Sequence, residues 1–400
     1  MKTAPTLLFI ATTDSYIKWV NGLRLQVESE WPSTMFLAKT LQNPSPRQTR
    51  VAVGENAASK VQALHVLSIL AWIDKHKPSA IVVGATGPFL VLLRWLLNFS
   101  KQGRHAKLIS GSPGVAYHLI GSPLRARAYA DLILVASRRE WVRLGGDLSL
   151  LGVKTELGLT TLPFLQTLPD TERFDGNDTL VFAPQPDMPK SKEDRRRLLL
   201  ELGKLKDSQP DLEIRIKLRA ISKEPQTHFE KYSYPELEAE LVKEGKLKAN
   251  TFNFVLGSIS EQLRNTNAAL ITVSSTAALE SISMGNPTHI ISDFGSNDEI
   301  ATSVFEGSGI VWPIADHAVA RLQKPSALWL DENYFHNPEL DDWKQAIVSL
   351  VQKPISNKFE ILPTRLSKSL FFGEFLRVML PNRIGKMLIA SLKLLLGKNS

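Results

Sequence analysis

Apolar segments alternate with amphipathic segments along the chain, and this alternation predicts an α/β protein. A continuous apolar run such as SAIVVGAT (79–86) is typical of a strand buried in a parallel sheet. The segment KVQALHVLSILAWIDKHK (60–77) has apolar residues three and four positions apart, which predicts a helix. The first strand is predicted at TLLFIAT (6–12) and the second at QTRVAVG (48–54). Strands that alternate with helices indicate open, mostly parallel sheets.

The length of 400 residues exceeds one ordinary hydrophobic core and predicts two domains. A polar, punctuated stretch, LPDTERFDGNDT (168–179), separates two runs of the strand and helix pattern and is interpreted as a linker. Two open α/β domains in tandem predict a central cleft at the carboxyl ends of their strands, where such folds bind ligands. The predicted parts are a first Rossmann-like domain (1–165), the linker (166–177), a second Rossmann-like domain (178–360) and a basic helical tail (361–400).

Composition narrows the possible functions. The absence of cysteine excludes disulfides, Cys-ligated metals and a thiol nucleophile. The first residues lack the features of a secretory signal, and no uncharged stretch reaches about 18 residues, so a cytoplasmic protein is expected.

The charge of +8 lies mostly in the tail, because 365–400 carries seven basic residues and one acid, a net +6. A nucleic-acid-binding protein would carry a basic face on its folded body instead. The tail is apolar and basic and is broken at Pro381, which predicts peripheral binding to an anionic membrane. The alternative is a C-terminal helix that packs on the first domain, and both arrangements can coexist.

The segment LITVSSTAALESISMGNP (270–287) is the main candidate for chemistry. An apolar strand ends in Ser274, Ser275 and Thr276, and a helix follows at once. Hydroxyl groups beside the backbone N–H groups and the positive dipole end of a helix suit a phosphate. The alternative is ordinary helix capping by Ser or Thr. The position of the cluster after a strand of the second α/β domain favours phosphate binding.

The segment VSSTAALESISMGNP resembles the nucleotide-sugar-binding segment of bacterial GT-B glycosyltransferases, and most closely the motif of two serines in transferases that use CMP-activated sialic acid or Kdo. The resemblance covers about 178–300 and implies that Ser274 and Ser275 bind the donor phosphate with help from Thr276. It also implies that Glu280 binds the ribose, as an acid on this helix does in related UDP-sugar enzymes. Gln185, in FAPQPD (182–187), is expected to contact the donor, although this stretch can also be a simple proline-rich turn.

The strand IRIKLRA (214–220) departs from the family pattern. The equivalent strand of the CMP-sugar transferases commonly ends in Lys-x-His-Pro, whereas this chain has Lys217, Leu218 and Arg219. Lys217 is expected to bind the donor, and Arg219 to neutralise the departing phosphate. His228, in the following loop, is a second catalytic candidate, with an ordinary surface position as the alternative.

The first domain is expected to bind the acceptor and to supply the base of an inverting reaction. Asp14, which follows the first strand, is the candidate base for the acceptor hydroxyl. Its alternative role is to cap a helix that begins at Ser15. The candidate acceptor contacts are Thr13, Ser15, Ser112 and His118. No Asp-x-Asp pair suited to a metal is apparent, so a metal-independent mechanism without a cofactor is expected.

These features predict an inverting glycosyltransferase that acts on a lipid-linked or surface-polysaccharide acceptor, such as lipopolysaccharide or capsule, at the cytoplasmic membrane face. The first choice of donor is a CMP-activated nonulosonic acid or Kdo. The alternative is a UDP-sugar-dependent GT-B transferase or an epimerase. A dehydrogenase is disfavoured, because no Gly-x-Gly-x-x-Gly follows the first strand.

Overall fold

The computed structural model describes residues 4–40, 43–54, 61–115, 122–165, 168, 178–185, 188–218, 230–264, 267–294, 302–317, 322–354 and 365–379. The chain forms two compact units. The first comprises Met1–Pro163 and Asn337–Ser400, and the second comprises Phe164–His336.

The first unit contains a seven-stranded parallel sheet with the strand order β3-β2-β1-β4-β5-β6-β7. Its strands are β1 (Leu7–Ala11), β2 (Ser33–Ala38), β3 (Gln62–Leu64), β4 (Ala80–Gly84), β5 (Lys107–Gly111), β6 (Leu132–Val135) and β7 (Glu156–Leu159). Its helices up to this point are α1 (Asp14–Leu25), α2 (Pro46–Val53), α3 (Val66–His76), α4 (Gly87–Phe99), α5 (Ser122–Arg127) and α6 (Arg138–Leu150), with a 3-10 turn at Gly103–His105.

The central strands of this sheet are buried on both faces, as their continuous apolar sequences predict. Every residue of β1, β4 and β5 is buried. Leu8 and Ile10 face a core that includes side chains of α3, α4, α5 and α6. Helix α1 covers the opposite face, where a Cβ at Gly84 would come within 2.7 Å of Val20. A glycine at position 84 therefore allows α1 to lie close to the sheet.

The predicted second strand is wrong, because QTRVAVG lies in helix α2. Ser45 caps this helix by accepting a hydrogen bond from the Gln48 backbone N–H, and the Gln48 side chain accepts one from the Ser45 N–H. This capping box and Pro46 in the first turn outweigh the strand preference of the valines. The second strand is Ser33–Ala38, which the sequence analysis did not assign.

The predicted helix over 60–77 is correct only in its later part. Gln62–Leu64 forms the edge strand β3, and α3 begins at Val66. His65 caps α3, since its Nδ1 accepts a hydrogen bond from the Leu67 N–H at 3.3 Å.

The second unit contains a six-stranded parallel sheet with the order β10-β9-β8-β11-β12-β13. Its strands are β8 (Thr179–Phe182), β9 (Glu213–Lys217), β10 (Asn253–Val255), β11 (Ala268–Thr272), β12 (Thr288–Ile291) and β13 (Val311–Trp312). Its helices are α7 (Lys192–Ser208), α8 (Tyr234–Lys243), α9 (Ile259–Leu263), α10 (Ala277–Ser283) and α11 (Ala327–Glu332), with 3-10 turns at Thr302–Phe305 and Ile314–Asp316. Two parallel α/β sheets of this kind confirm the predicted pair of Rossmann-like domains.

The chain returns to the first unit after His336. A 3-10 turn at Pro338–Leu340 precedes α12 (Trp343–Gln352), which packs on β6 and β7. The Asp342 carboxylate accepts a hydrogen bond from the Leu159 N–H at 2.6 Å. The sequence analysis assigned residues up to 360 to the second domain, so the structure differs from it here. The helical pattern showed that α12 has an apolar face but carried no information about which sheet that face covers.

The last described helix, α13 (Arg365–Met379), packs on α4 of the same unit. The centroids of the Phe371 and Trp95 rings are 5.5 Å apart in an edge-to-face arrangement. Residues 380–400, which carry most of the predicted membrane-binding tail, and all of the predicted linker except Leu168 lie outside the described residues.

Buried His289 of β12 pairs with half-buried His317. His289 is fully buried, and its Nε2 lies 2.9 Å from the Trp312 carbonyl oxygen. That nitrogen therefore donates its proton, and Nδ1 is left to accept a hydrogen bond from His317 Nδ1 at 2.7 Å. Burial lowers the pKa of both rings, and it lowers the pKa of His317 to about 3. Both rings are therefore neutral in the folded protein near neutral pH.

The histidine pair predicts a loss of stability on mild acidification. Below the ordinary histidine pKa of 6.5, the unfolded chain binds protons that the folded chain does not bind. As the pH falls below 6.5, each histidine should lower the free energy of unfolding by up to about 1.4 kcal/mol per pH unit, and for His317 this continues towards pH 3. Urea unfolding at pH 7.5, 6.5 and 5.5 should show this slope, and the variant His317→Asn should reduce it. An identical slope in the two proteins would contradict the assignment.

Candidate functional site

Two loops of the second unit leave the same edge of its sheet, at the point where the strand order reverses. β8 and β11 are parallel neighbours, with Phe182 opposite Ile271. The chain continues from β8 to one side of this pair and from β11 to the other. Ligands of open α/β sheets bind at such a switch point, beyond the carboxyl ends of the strands. The Thr272 hydroxyl fastens the two loops together by donating to the Ala183 carbonyl oxygen at 2.7 Å.

Gln185 and Ser274 meet at this edge. The side-chain oxygen of Gln185 accepts hydrogen bonds from the Ser274 N–H at 3.0 Å and from the Ser274 hydroxyl at 3.1 Å. A backbone N–H can only donate, so the amide carbonyl must face Ser274 and the amide NH₂ must point elsewhere. The structure thus joins two predicted donor-binding residues that lie 89 positions apart. The NH₂ group supplies two N–H donors at the switch point.

The other hydroxyls of the motif lie beside this junction. The Ser275 hydroxyl oxygen accepts a hydrogen bond from the Ala277 N–H at 3.2 Å, which leaves its own proton for donation. Thr276 occupies the N-cap position of α10, and its side chain makes no capping bond. Helix α10 has only seven residues, so the hydroxyls would contribute more to phosphate binding than the helix dipole would. Glu280 lies half-buried in the first turn of this helix.

Arg195 fixes the loop that carries Gln185. Its side chain is only 1% exposed, although it belongs to helix α7, which carries many charged residues. Arg195 donates to the carbonyl oxygens of Pro189 and Gln185 at 2.8 and 3.1 Å. It also donates to the Tyr232 carbonyl oxygen at 2.6 Å and to the Glu230 carboxylate at 2.8 Å. One buried guanidinium therefore ties the Gln185 loop to the segment that precedes α8.

The sequence contained a signal for this role. Arg195 stands three and four positions before Leu198 and Leu199, which places it on the apolar face of α7. A cation on that face must find buried partners. The run of three consecutive arginines concealed this signal, because Arg196 and Arg197 do lie on the outer side.

Of the three remaining candidate site residues in the second unit, the structure describes one. Lys217 is the last residue of β9 and lies half-buried beside the end of β8. Arg219 and His228, the predicted catalytic residues of this unit, lie outside the described residues.

In the first unit, the predicted acceptor residues follow β1 and β5. Helix α1 begins at Asp14, and Thr13 occupies the N-cap position without a side-chain capping bond. Asp14 therefore does not cap a helix that begins at Ser15, which was the alternative interpretation. Ser112 follows β5 at the same edge of the sheet, whereas His118 lies outside the described residues. The described residues contain no group of three or more His, Asp or Glu side chains that could hold a metal ion.

Two parallel α/β sheets, the second with a candidate site at its switch point, are the architecture of GT-B-like proteins. Residues 7–350 match the model of the family described as "Putative glycosyltransferase (DUF6716)". Because this match spans most of the chain, the protein belongs to that family and is a glycosyltransferase. No curated protein matches the sequence significantly.

Solved structures support the same fold. The S. aureus MnaA–UDP co-structure has a TM-score of 0.54 at 10% identity, over 98% of this chain and 97% of that chain. The Methanocaldococcus jannaschii UDP-GlcNAc 2-epimerase in complex with UDP-GlcNAc and UDP has a TM-score of 0.55 at 11% identity, over 87% and 99% of the two chains. The Neisseria meningitidis UDP-GlcNAc 2-epimerase bound to UDP-GlcNAc gives 0.52 at 11% identity, over 87% and 100%. At these identities the similarity establishes the fold, and it confirms the predicted GT-B class.

The contacts of Arg195 predict that its loss will destabilise the second unit. In Arg195→Met, the Glu230 carboxylate loses its ion pair with Arg195 and three carbonyl oxygens lose a donor. We expect the free energy of unfolding to fall by about 3–5 kcal/mol. The matched control is Lys204→Met on the same helix, where the lysine is 72% exposed and bonds to Glu201 at 2.9 Å. That change should cost less than about 1 kcal/mol. Equal losses in urea unfolding would refute the organising role of Arg195.

Proposed function

We propose that this glycosyltransferase uses a nucleoside diphosphate sugar, with UDP as the nucleotide, and binds its phosphates at the β8/β11 switch point. The observation that supports this best is the junction of Gln185 with Ser274. It holds an amide NH₂ group beside the Ser275 hydroxyl, at the edge where α/β sheets bind ligands. Neutral N–H and O–H donors of this kind suit phosphate oxygens.

We propose a role for each polar residue at this edge. The Ser274 hydroxyl positions Gln185, while Ser275 and Thr276 donate to phosphate. Glu280, in the first turn of α10, accepts hydrogen bonds from the ribose hydroxyls. Lys217, at the end of the neighbouring strand, adds a positive charge towards the leaving group.

UDP is proposed over the CMP-linked donor that the serine motif first suggested. The strand that ends at Lys217 lacks the Lys-x-His-Pro of the CMP-sugar transferases. In addition, the structures of similar fold were solved with UDP or UDP-GlcNAc. An epimerase function is disfavoured, because the family is one of glycosyltransferases.

The proposed reaction is an inverting transfer. A base takes the proton of the acceptor hydroxyl while its oxygen attacks the anomeric carbon, and the bond from that carbon to the diphosphate oxygen breaks. Asp14 is the proposed base, with His118 as second choice, and Thr13, Ser15 and Ser112 are proposed to contact the acceptor. Arg219 or His228 is proposed to stabilise the departing diphosphate together with Lys217.

The proposed acceptor is a lipid-linked glycan or a surface polysaccharide at the cytoplasmic face of the membrane. On α4 and α13 of the first unit, the exposed aromatic side chains are Trp95, Phe99 and Phe372. Aromatic side chains next to a basic, apolar tail suit the interface of an anionic bilayer. No helix in the described part of the chain combines the length and the hydropathy needed to cross a membrane.

Nucleotide binding tests the donor site. UDP should raise the thermal unfolding midpoint of the protein more than CMP does, because its second phosphate adds hydrogen-bond acceptors. Gln185→Glu retains an acceptor for Ser274 but replaces the amide donors by a negative charge that repels phosphate. We expect it, like Ser275→Ala, to weaken UDP binding at least about tenfold.

Ser208→Ala is the control for the donor site, because Ser208 caps the exposed end of α7 by donating to the Leu205 carbonyl oxygen. It should leave the affinity for UDP unchanged in calorimetric titration. A larger response to CMP than to UDP, or unchanged binding in both site variants, would refute the proposed donor site.

Vesicle binding tests the membrane proposal. Deletion of residues 382–400 removes four basic residues, Arg383, Lys386, Lys393 and Lys398. The shortened protein should no longer sediment with vesicles that contain anionic phospholipid. Binding of the full chain should also fall as salt is raised, since the attraction is electrostatic. Retention of the shortened protein on these vesicles would contradict the role of the tail.

A further inference from the structure

Three arginines are buried in the described part of the chain, and they differ in how their charge is compensated. Arg94 donates to the Asp131 carboxylate at 2.5 Å, and Arg195 donates to Glu230 at 2.8 Å. Arg127 is just as inaccessible, with 3% of its surface exposed, but its bonds go only to hydroxyl groups.

The surroundings of Arg127 lie at the carboxyl end of the first sheet. One terminal nitrogen donates to the Ser110 hydroxyl oxygen of β5 at 2.5 Å. The other donates to the Tyr16 hydroxyl oxygen of α1 at 2.8 Å, and the guanidinium carbon lies 5.9 Å from the centre of the Tyr16 ring. No carboxylate among the described residues forms an ion pair with Arg127.

This arrangement has an excess of hydrogen-bond donors over acceptors. Arg127 has five N–H donors, and two of them are used in the bonds to Ser110 and Tyr16. Both hydroxyls accept from Arg127 and keep their own protons for donation. A buried cation without an opposing charge is costly, by several kcal/mol in proteins.

We propose that Arg127, with Ser110 and Tyr16, forms an anion-binding site in the first unit that takes a carboxylate or phosphate group. An anion supplies the negative charge and the acceptor atoms that this cluster lacks. A guanidinium can form bidentate hydrogen bonds with a carboxylate or with a phosphate. Ser110 and Tyr16 come from β5 and from the helix after β1, on either side of β4. The cluster therefore lies at the β1/β4 switch point, the counterpart of the β8/β11 edge.

The site also specifies the acceptor, an inference that rests on the proposed function. If the first unit receives the acceptor, then the acceptor carries a negative charge near the hydroxyl that attacks. Its chemical class is then a sugar with a uronic acid carboxylate or a sugar phosphate, rather than a neutral glycan.

Binding of simple anions tests the proposal on the full-length protein. At constant ionic strength set with sodium chloride, inorganic phosphate or glucuronate should raise the thermal unfolding midpoint. The comparison of the two probes identifies which anion the site prefers. The anion measurements are made in the Ser275→Ala background, which reduces binding of phosphate at the proposed donor site.

Arg127→Met removes the charge and keeps the length of the side chain. We expect this variant to weaken anion binding at least about tenfold, because charge-assisted hydrogen bonds are lost. Arg127→Lys keeps the charge but cannot make bidentate hydrogen bonds, so it should bind the anion with intermediate affinity. If Arg127→Met does not fold, Arg127→Lys is the variant that tests the site. Arg94→Met is the control for the loss of a buried arginine. It should be less stable in every buffer, because Asp131 loses its ion pair with Arg94, but its response to anions should be unchanged.

The proposal is overturned if neither anion raises the midpoint, or if the Arg127 and Arg94 variants respond equally. A response to UDP, measured with Ser275 intact, reports on the donor site independently. Loss of the UDP response with the anion response retained would refute the proposed donor but not the anion site.

Discussion

The parallel pairing of β8 with β11 is the constraint on which the donor site depends. It brings the loop after each strand to one edge of the sheet, where the Gln185 amide can accept both the N–H and the hydroxyl of Ser274. That bond fixes the orientation of an amide that would otherwise be free to flip. The orientation of the Gln185 amide thus depends first on backbone geometry and second on side-chain chemistry, because the Ser274 N–H is a backbone group.

The buried side chain of Arg195 also positions the donor site. Gln185 belongs to no named helix or strand, and such a segment is held in place only if its carbonyl groups find donors. Arg195 supplies them from the neighbouring helix and is itself neutralised by Glu230. The cost of burying the cation is met by hydrogen bonds that position the site, so the same interaction contributes to stability and to geometry.

Much of the fold could be predicted from the sequence, because the strands at the centre of each sheet are continuous apolar runs. β1, β4 and β11 lie where the sequence analysis placed them, since burial on both faces leaves a strong signal. The apolar pattern did not correctly predict the peripheral elements. Val51 and Val53 suggested a strand, but the local capping bonds of Ser45 started a helix. The placement of α12 on the first sheet depends on contacts between residues far apart in sequence, such as Asp342 and Leu159, which no local pattern encodes.

The candidate site was predictable to the extent that it lies at strand ends. Ser274, Ser275 and Gln185 were identified because hydroxyl and amide residues follow apolar runs directly. The bond between Gln185 and Ser274 was not predictable, since it requires knowledge that β8 and β11 are neighbours. Arg195 and Arg127 were missed for a related reason. A charged residue in a helix is normally solvated, and only the position of its neighbours in space shows that it is buried.

The two sheets are built alike, but Arg195 in the second unit and Arg127 in the first differ in how their charge is compensated. In both sheets the strand order reverses beside the first strand, at β1/β4 and at β8/β11. In the second unit, Arg195 is compensated by the protein's own carboxylate, so it can act as a permanent structural element. In the first unit, Arg127 is held only by neutral hydroxyls. A cation that the protein leaves uncompensated retains its full attraction for an external anion, and a ligand that supplies the missing charge gains an interaction that the folded chain cannot satisfy alone.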